Sequence, residues 1–453
     1  MKFTLIKVFL ILLLVSCNQE VNSADMLLYQ VNGRVIDNFG VGIKGVKINY
    51  NTNQSTITNA QGYWEISNLF EETTITSSVA DYTFFPSEII VNNTADNLMF
   101  KGSRIPTESE EQIFNWFNNQ QLPNGLLESA ENSNYVSLYD NALAAMVFML
   151  KDDFERAENI FDFFNARITT ELTNGVGGFS QIRNSNGIPN NRRWMGDNAW
   201  LLIALNNYKN RTGFTTYDNL ALELSNWLQS LQDTDGGLFA GYYPSNNLID
   251  FKVTEGNIDA FNAVEGFTTF HSELLNFLKN DRWDTLDKNL ISWPTNPLYI
   301  NALDLHSWSY SIFKNYPISA QTTADRFLTT QVATNGLTIT GYCFDEDKDT
   351  VWLEGTGQMA LAFGISEMQN EKNFYLNEMD KVIIESSLYS NSKGFPYASN
   401  PGTSYGSDLL WTTADSEIAI SGGAWYLFAK YNFNPFAIGR EKNIPENEMF
   451  WIY

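Results

Sequence analysis

Six carboxylates recur along the chain, each opening an apolar stretch and each set among aromatic or small residues. They are Asp140 in SLYDNALAA, Asp197 in RWMGDNAW, Glu255 with Asp259 in TEGNIDAF, Asp304 in NALDLHSW, Glu354 in VWLEGTGQMA and Asp415 in TTADSEIA. Leading positions lie 49 (304−255) to 61 (415−354) residues apart, the length of two helices and two loops, so the spacing is that of a repeat. Capping and the helix dipole account for any one acidic residue at a helix start, but not for six accompanied by Trp and Tyr. Two carboxyl groups facing one bond form an acid–base pair: one gives a proton to a leaving oxygen, the other activates water or attacks. The dipole lowers a carboxylate's pKa at a helix N-terminus, so the acid must be raised by apolar burial or a like charge. Glu354, between Trp352-Leu353 and Gly355-Thr356-Gly357, meets that demand. Its partner is Asp140, Asp197 or Glu255; Asp259 lies one helical turn beyond Glu255 on the same face and would tune it. Tyr139, Trp194, Trp200, Trp308 and Trp352 would line a cleft in which flat rings stack on C–H faces, with Asn198, Asp304, His306 and Gln358 as polar contacts.

The elements that position these groups read as six helix pairs: 107–119 with 137–150, 153–169 with 196–210, 217–231 with 257–278, 280–290 with 298–314, 321–331 with 353–369, and 373–386 with 415–430. Five of the first helices are followed by Asn-Gly, Gly-Gly or Lys-Gly turns, as at Asn124-Gly125 and Asp235-Gly236-Gly237, where Gly supplies the positive φ that stops a helix. The fourth meets Trp293-Pro294 instead. Second helices are apolar all round, as in Ala142–Leu150, and first helices keep a charged face, as in Asp153–Glu158. Buried helices inside a ring of amphipathic ones make an all-α (α/α)6 toroid, a six-hairpin barrel from about 105 to 453, with the carboxylates at one mouth.

The chain opens with Lys2 and Lys7, an apolar run from Val8 to Val15, then Ser16-Cys17. That run is too short to span a bilayer and reads as a secretory signal. Leu14-Val15-Ser16-Cys17 resembles the lipobox of bacterial lipoproteins, which implies removal of residues 1–16, a lipidated Cys17 and a tether over 17–27. From 28 to 101 the pattern alternates, as in Val31–Val35, Gly45–Tyr50, Tyr63–Ile66 and Glu88–Val91, which predicts a small β-sandwich. Its Gly33-Arg34-Val35, Gly45-Val46, Gly62-Tyr63-Trp64 and Tyr82–Pro86 resemble the carboxypeptidase-regulatory-like domain, an immunoglobulin-like module that implies a non-catalytic spacer. The net charge of −24 repels polyanions, which excludes nucleic acid. With Cys17 lipidated, Cys343 stands alone as a buried apolar residue. Asp345, Asp347 and Asp349 alternate as in a calcium loop, but Thr350 stands where Gly is required and no Glu follows at the twelfth position, so a solvated acidic turn is the expectation. No cofactor is expected.

Taken together, the chain resembles Gram-negative envelope lipoproteins that degrade glycans: a lipid anchor in the outer membrane, a sandwich spacer, then a toroid like those of many glycoside hydrolases. The resemblance implies a monomeric glycoside hydrolase acting on a neutral or weakly charged oligo- or polysaccharide, touching the membrane through its lipid alone. A polysaccharide lyase using His306 and a Tyr is the alternative, disfavoured by scarce His and the acidic surface; a non-catalytic glycan-binding lipoprotein is another.

Overall fold

The computed structural model describes residues 28–295 and 300–452, so the signal segment and Cys17 lie outside the described residues. Two compact units divide the chain, Met1–Ile105 and Pro106–Tyr453. Among the described residues, no helix is long and apolar enough to cross a membrane.

Among its described residues the first unit holds eight strands: β1 (Tyr29–Ile36), β2 (Lys47–Tyr50), β3 (Gln54–Ile57), β4 (Tyr63–Leu69), β5 (Thr73–Ser78), β6 (Tyr82–Phe85), β7 (Glu88–Val91) and β8 (Ala95–Arg104). They form two sheets, ordered β4-β1-β8-β6 and β3-β2-β5-β7. Alternate residues of both turn inward to one shared core, with Val31, Val35, Trp64 and Phe100 from the first sheet and Ile48, Ile75 and Val91 from the second.

The second unit begins where Thr107 caps α1 (Glu108–Gln120), its hydroxyl accepting from Glu110 N–H while Glu110 accepts from Thr107 N–H. The inner helices are α2 (Leu138–Leu150), α4 (Met195–Thr212), α6 (Thr254–Ala263), α8 (Asp304–Ile312), α10 (Leu353–Ile365) and α12 (Ile420–Lys430). Each packs on the next and α12 returns to α2, closing the ring. Asn141 to Leu150 of α2 are buried without a break, so the helix has no solvent face. Outside stand α1, α3 (Phe154–Asn165), α5 (Asp218–Ser230), α7 (Thr269–Phe277), the single turn α9 (Ser319–Thr323) and α11 (Gln369–Asp380). At the end of the ring away from the inner N-termini, the segment before α13 (Ala437–Arg440) plugs the barrel, with Asn207 and Asn262 side chains donating to Pro435 O at 2.8 Å and Phe436 O at 3.0 Å. The Phe436 ring meets Trp200 at 4.9 Å and Trp308 at 5.9 Å between centroids.

Three expected helices are corrected. The single helix 257–278 is two, because α6 stops at Val264 and Gly266 turns the chain at a φ of +76°. His271 then caps α7, its Nδ1 accepting from Thr268 N–H at 3.1 Å, so α7 is the outer member of the fourth pair. Residues 280–290 carry a hairpin, Trp283–Asp284 paired with Asn289–Leu290. The expected helix 321–331 yields to a strand at Leu328–Val332, paired with Thr338–Tyr342, because both runs are rich in β-branched residues.

Candidate functional site

The mouth of the ring opens into a cavity of about 950 Å³. Asp140, Asp197, Glu255, Asp304 and Glu354, each from the first turn of its inner helix, line it together with Asp259 one turn further along α6. Tyr139, Trp194, Trp200, Trp308 and Trp352 line it as well. Trp200 stands edge-on to Trp308 at 5.3 Å, and Trp352 stacks on Phe344 at 4.4 Å between ring centroids.

Four expected positions fall elsewhere. Asp415 precedes α12, whose first turn presents Ser421 to the cavity instead; its carboxylate accepts from Thr334 Oγ1. Asn198 is turned to the backbone: its Oδ1 accepts from Phe179 N–H at 2.9 Å, and its Nδ2 donates to Phe179 O at 3.0 Å and Trp194 O at 2.9 Å, leaving no group for a ligand. His306 points out to α9, with Nδ1 2.7 Å from Ala320 O and its ring edge-on to Phe327, and burial lowers its pKa to about 4. It therefore cannot serve as a base in the cavity. Gln358 sits behind the lining, where its Nε2 donates to Glu354 Oε1 at 3.3 Å and its Oε1 accepts from Ser307 Oγ at 3.0 Å.

Glu354 is the most closely held of the carboxyls. Its Oε1 accepts from Tyr139 Oη at 2.6 Å, and that hydroxyl accepts from Trp425 Nε1 at 2.9 Å. Burial pushes the Glu354 pKa up to about 7, against the hydrogen bonds from Tyr139, Ser421 and Gln358, which favour the ionised form. Asp140 rises to about 8 through burial and then through the charges of Glu354 and Asp197, opposed by hydrogen bonds from Ser129 and Ser137. Asp197 rises to about 7 through burial, checked by the nearby Arg192 and by Gln181, whose Nε2 donates to Asp197 Oδ2 at 3.1 Å. Arg192 in turn donates to Gln181 Oε1 at 2.8 Å and lies over the Trp194 ring at 3.6 Å. Glu255 is raised by burial despite its hydrogen bond from Ser292 and the Arg282 charge. Asp259 and Asp304 are raised well above the carboxylate range, first by burial and then by their neighbours' charges.

The sequence reading missed the wall formed by residues 395–419, which brings Tyr397, Tyr405, Trp411 and Glu417 to the cavity. Its signal was available: the stretch from Asp380 to Ile420 is too long for a simple helix connection and is dense in Tyr, Gly and Ser. Tyr397 is held protonated well above the usual phenol range, first by burial and then by Glu354, Asp140 and Asp304 beside it. Elsewhere, Cys343 Sγ lies 3.7 Å from Asp347 Oδ1 and 3.8 Å from Asp349 Oδ1, an arrangement whose atoms could meet on one cation. The same acidic turn clasps the wall, with Asp349 accepting from Ser404 N–H and Asp345 from Gly406 N–H, both at 2.7 Å.

No family profile and no curated sequence matches the chain. Among solved structures it is similar to a glycosidase in complex with glucose, with a TM-score of 0.52, 10% identity and coverage of 72% of this chain and 96% of that one. A second glycosidase structure matches with the same TM-score of 0.52, identity of 10% and coverage of 72% and 96%. The cellobiose 2-epimerase of Spirochaeta thermophila matches at 0.50, with 12% identity over 73% of this chain and 95% of that one. At such identities the likeness is one of fold: the helical unit is an (α/α)6 toroid of the kind seen in glycosidases and sugar epimerases.

Proposed function

We propose that this chain is a glycoside hydrolase, with Glu354 as general acid and Asp197 as the ionised partner, acting on a neutral or weakly charged glycan. The observation that carries the reading is the contrast between two carboxyls lining one Trp-walled cavity. Burial raises both to about 7, but the groups that favour ionisation differ: neutral donors, Tyr139, Ser421 and Gln358, on Glu354, and the Arg192 cation together with Gln181 on Asp197. A proton donor with a pKa near 7 works at neutral pH, and of the two carboxyls the one beside a cation is the better suited to give up its proton and activate an incoming water. Asp140 and Glu255 line the same cavity and are the other candidates for the partner. Epimerisation or elimination calls for a base that takes a proton from carbon; neither His306 nor His271 lines the cavity, so hydrolysis is the reading the site favours. The glycosidases with the same fold support this, as does the presence of glucose in one of them. We further propose that the β-sandwich is the immunoglobulin-like spacer of an envelope lipoprotein anchored through Cys17.

Glu354→Gln keeps size and hydrogen bonding while removing the proton, and should lower the rate by about 10²–10⁴. Neutral glucans, mannans and xylans are incubated with both proteins, following new reducing ends and the ultraviolet absorbance of unsaturated uronates. Reducing ends without that absorbance, lost in the variant, support hydrolysis; absorbance on uronate polymers would assign a lyase, and tight binding without turnover a binding protein.

A further inference from the structure

Eight carboxyl side chains line the cavity, from Asp140 through Glu417, and among the described residues no lysine or arginine does. They are not equivalent. On the Glu354 side the carboxylates are answered by donors: Tyr139 and Gln358 on Glu354, and Gln181 on Asp197. On the α6–α8 side, where Ser292 donates to Glu255, one oxygen of each carboxyl is left over. Asp259 is only 2% exposed, yet its Oδ1 has no hydrogen-bond partner, and neither have Asp304 Oδ1 and Glu255 Oε2; the indole N–H groups of Trp200, Trp308 and Trp352 in the same cavity are unpartnered too, but they are neutral. The charges of Asp304 and Glu255 both raise the pKa of Asp259, Glu255 raises that of Asp304, and the Arg282 charge offsets only Glu255. Buried acceptors without donors are costly unless a ligand supplies them. A ligand whose hydroxyls only accept and donate in balance would leave the crowded carboxyls protonated; one that brings a positive charge offsets their mutual repulsion and lets them ionise. The rings of Trp200 and Trp308 touch one another and line the same cavity, and aromatic faces attract ammonium groups. A metal ion is the poorer fit, because three ligand atoms drawn together tightly enough for one ion occur, among the described residues, at Cys343, Asp347 and Asp349 rather than here.

We propose that the Glu255–Asp259–Asp304 side of the cavity is a subsite for a sugar unit bearing a protonated amine, a hexosamine in preference to its N-acetylated or neutral counterparts. The proposal rests on the sugar-binding reading above and names the charge its substrate carries. The sugar ring lies against the tryptophans, and its ammonium donates to Asp259 Oδ1 and to the orphaned oxygens beside it. Carboxyls protonated in the free protein ionise as the cation arrives, so binding releases protons.

The test uses monosaccharides, which makes it independent of linkage and of turnover. Glucosamine, N-acetylglucosamine and glucose are titrated into the full chain by calorimetry near neutral pH, in two buffers of different ionisation enthalpy. Glucosamine should bind at least tenfold tighter than either of the others, with a buffer-dependent heat that reports proton release. In Asp259→Asn the glucosamine preference should collapse toward unity, because the amide keeps the shape and loses the charge. Equal binding of glucosamine and glucose, or a preference for the acetylated sugar, overturns the proposal in the wild-type protein alone, so the proposal stays refutable even where the variant fails to fold. An amine preference that survives in a correctly folded Asp259→Asn also overturns it. Failure of the hydrolase reading looks different: no glycan yields new reducing ends, while the monosaccharide ranking stands.

Discussion

Removing one oxygen atom tests whether Glu354 is the acid. Tyr139 Oη donates to Glu354 Oε1 at 2.6 Å, and it is the shorter of the two hydrogen bonds at that oxygen, Gln358 lying at 3.3 Å. A donor stabilises the ionised carboxylate, so Tyr139→Phe must raise the Glu354 pKa from its value of about 7. A hydrogen bond to a charged group contributes about 1.5–3 kcal/mol, which at about 1.4 kcal/mol per pKa unit is a rise of about 1–2 units. The acid is active only while protonated, so the alkaline limb of the kcat/KM profile should move up by about 1–2 pH units. The substitution also strips Trp425 Nε1 of the acceptor it reaches at 2.9 Å, a buried donor left unsatisfied at about 1–3 kcal/mol of stability. The assay is the pH–rate profile on whichever glycan the wild type cleaves, with thermal unfolding measured in parallel. An alkaline limb that stays in place or moves down, in a variant that is folded and active, refutes the assignment of Glu354 as the proton donor.

Other perturbations test the fold, the electrostatics and the anchor. Asp140, Asp197 and Glu354 have folded pKa values of about 8, 7 and 7, above the ordinary 3.8, 3.8 and 4.5, so the native state holds protons the unfolded chain has lost. Stability is then full below the unfolded values and lost as pH rises toward the folded ones; Glu354 alone, raised from 4.5 to about 7, accounts for about 3 kcal/mol. The melting temperature should therefore be higher at pH 6 than at pH 8, with a flatter profile in Asp140→Asn; the buried histidines, lowered to about 4, oppose this only below about pH 6.5. Asn257→Ala should cost about 1–3 kcal/mol, read as a lower denaturant midpoint at constant slope, because Leu238 N–H loses the acceptor it reaches at 2.7 Å. Cys17→Ser should move the protein from washed membranes to the soluble fraction, and retention would dismiss the lipid anchor.

How much of this was legible follows from what each segment has to do. The ring was readable because an inner helix, buried on all sides, must be apolar on all sides, and Ala142 to Leu150 allow no other placement. The region from 264 to 290 was not, because apolar residues recur at helical spacing from Phe261 to Leu278 and the turn at Gly266 lacks an Asn or Pro beside it. Asp415 misled for a local reason: Asp-Ser-Glu-Ile reads as a helix start, but α12 begins only at Ile420, where Gly422 and Gly423 pass close to Phe395 and Phe117. The most regular signal in the chain lay beside the carboxylates. Asn141, Asn198 and Asn257 stand 57 (198−141) and 59 (257−198) residues apart. Each accepts from a backbone N–H of the loop before its helix, at Leu127, Phe179 and Leu238, and donates back to that residue's carbonyl. Each also donates to the carbonyl four residues earlier, at Ser137, Trp194 and Val253. A buried Asn can satisfy three backbone groups from one place only, so its position is fixed by geometry. A carboxyl facing a cavity has more freedom, and so Asp140 and Asp197 sit one residue before their latches and Glu255 two before its own. In α2, α4 and α6 the latch sets where the inner helix begins, and their share of the mouth's chemistry is built on whichever first-turn residue that leaves facing inward.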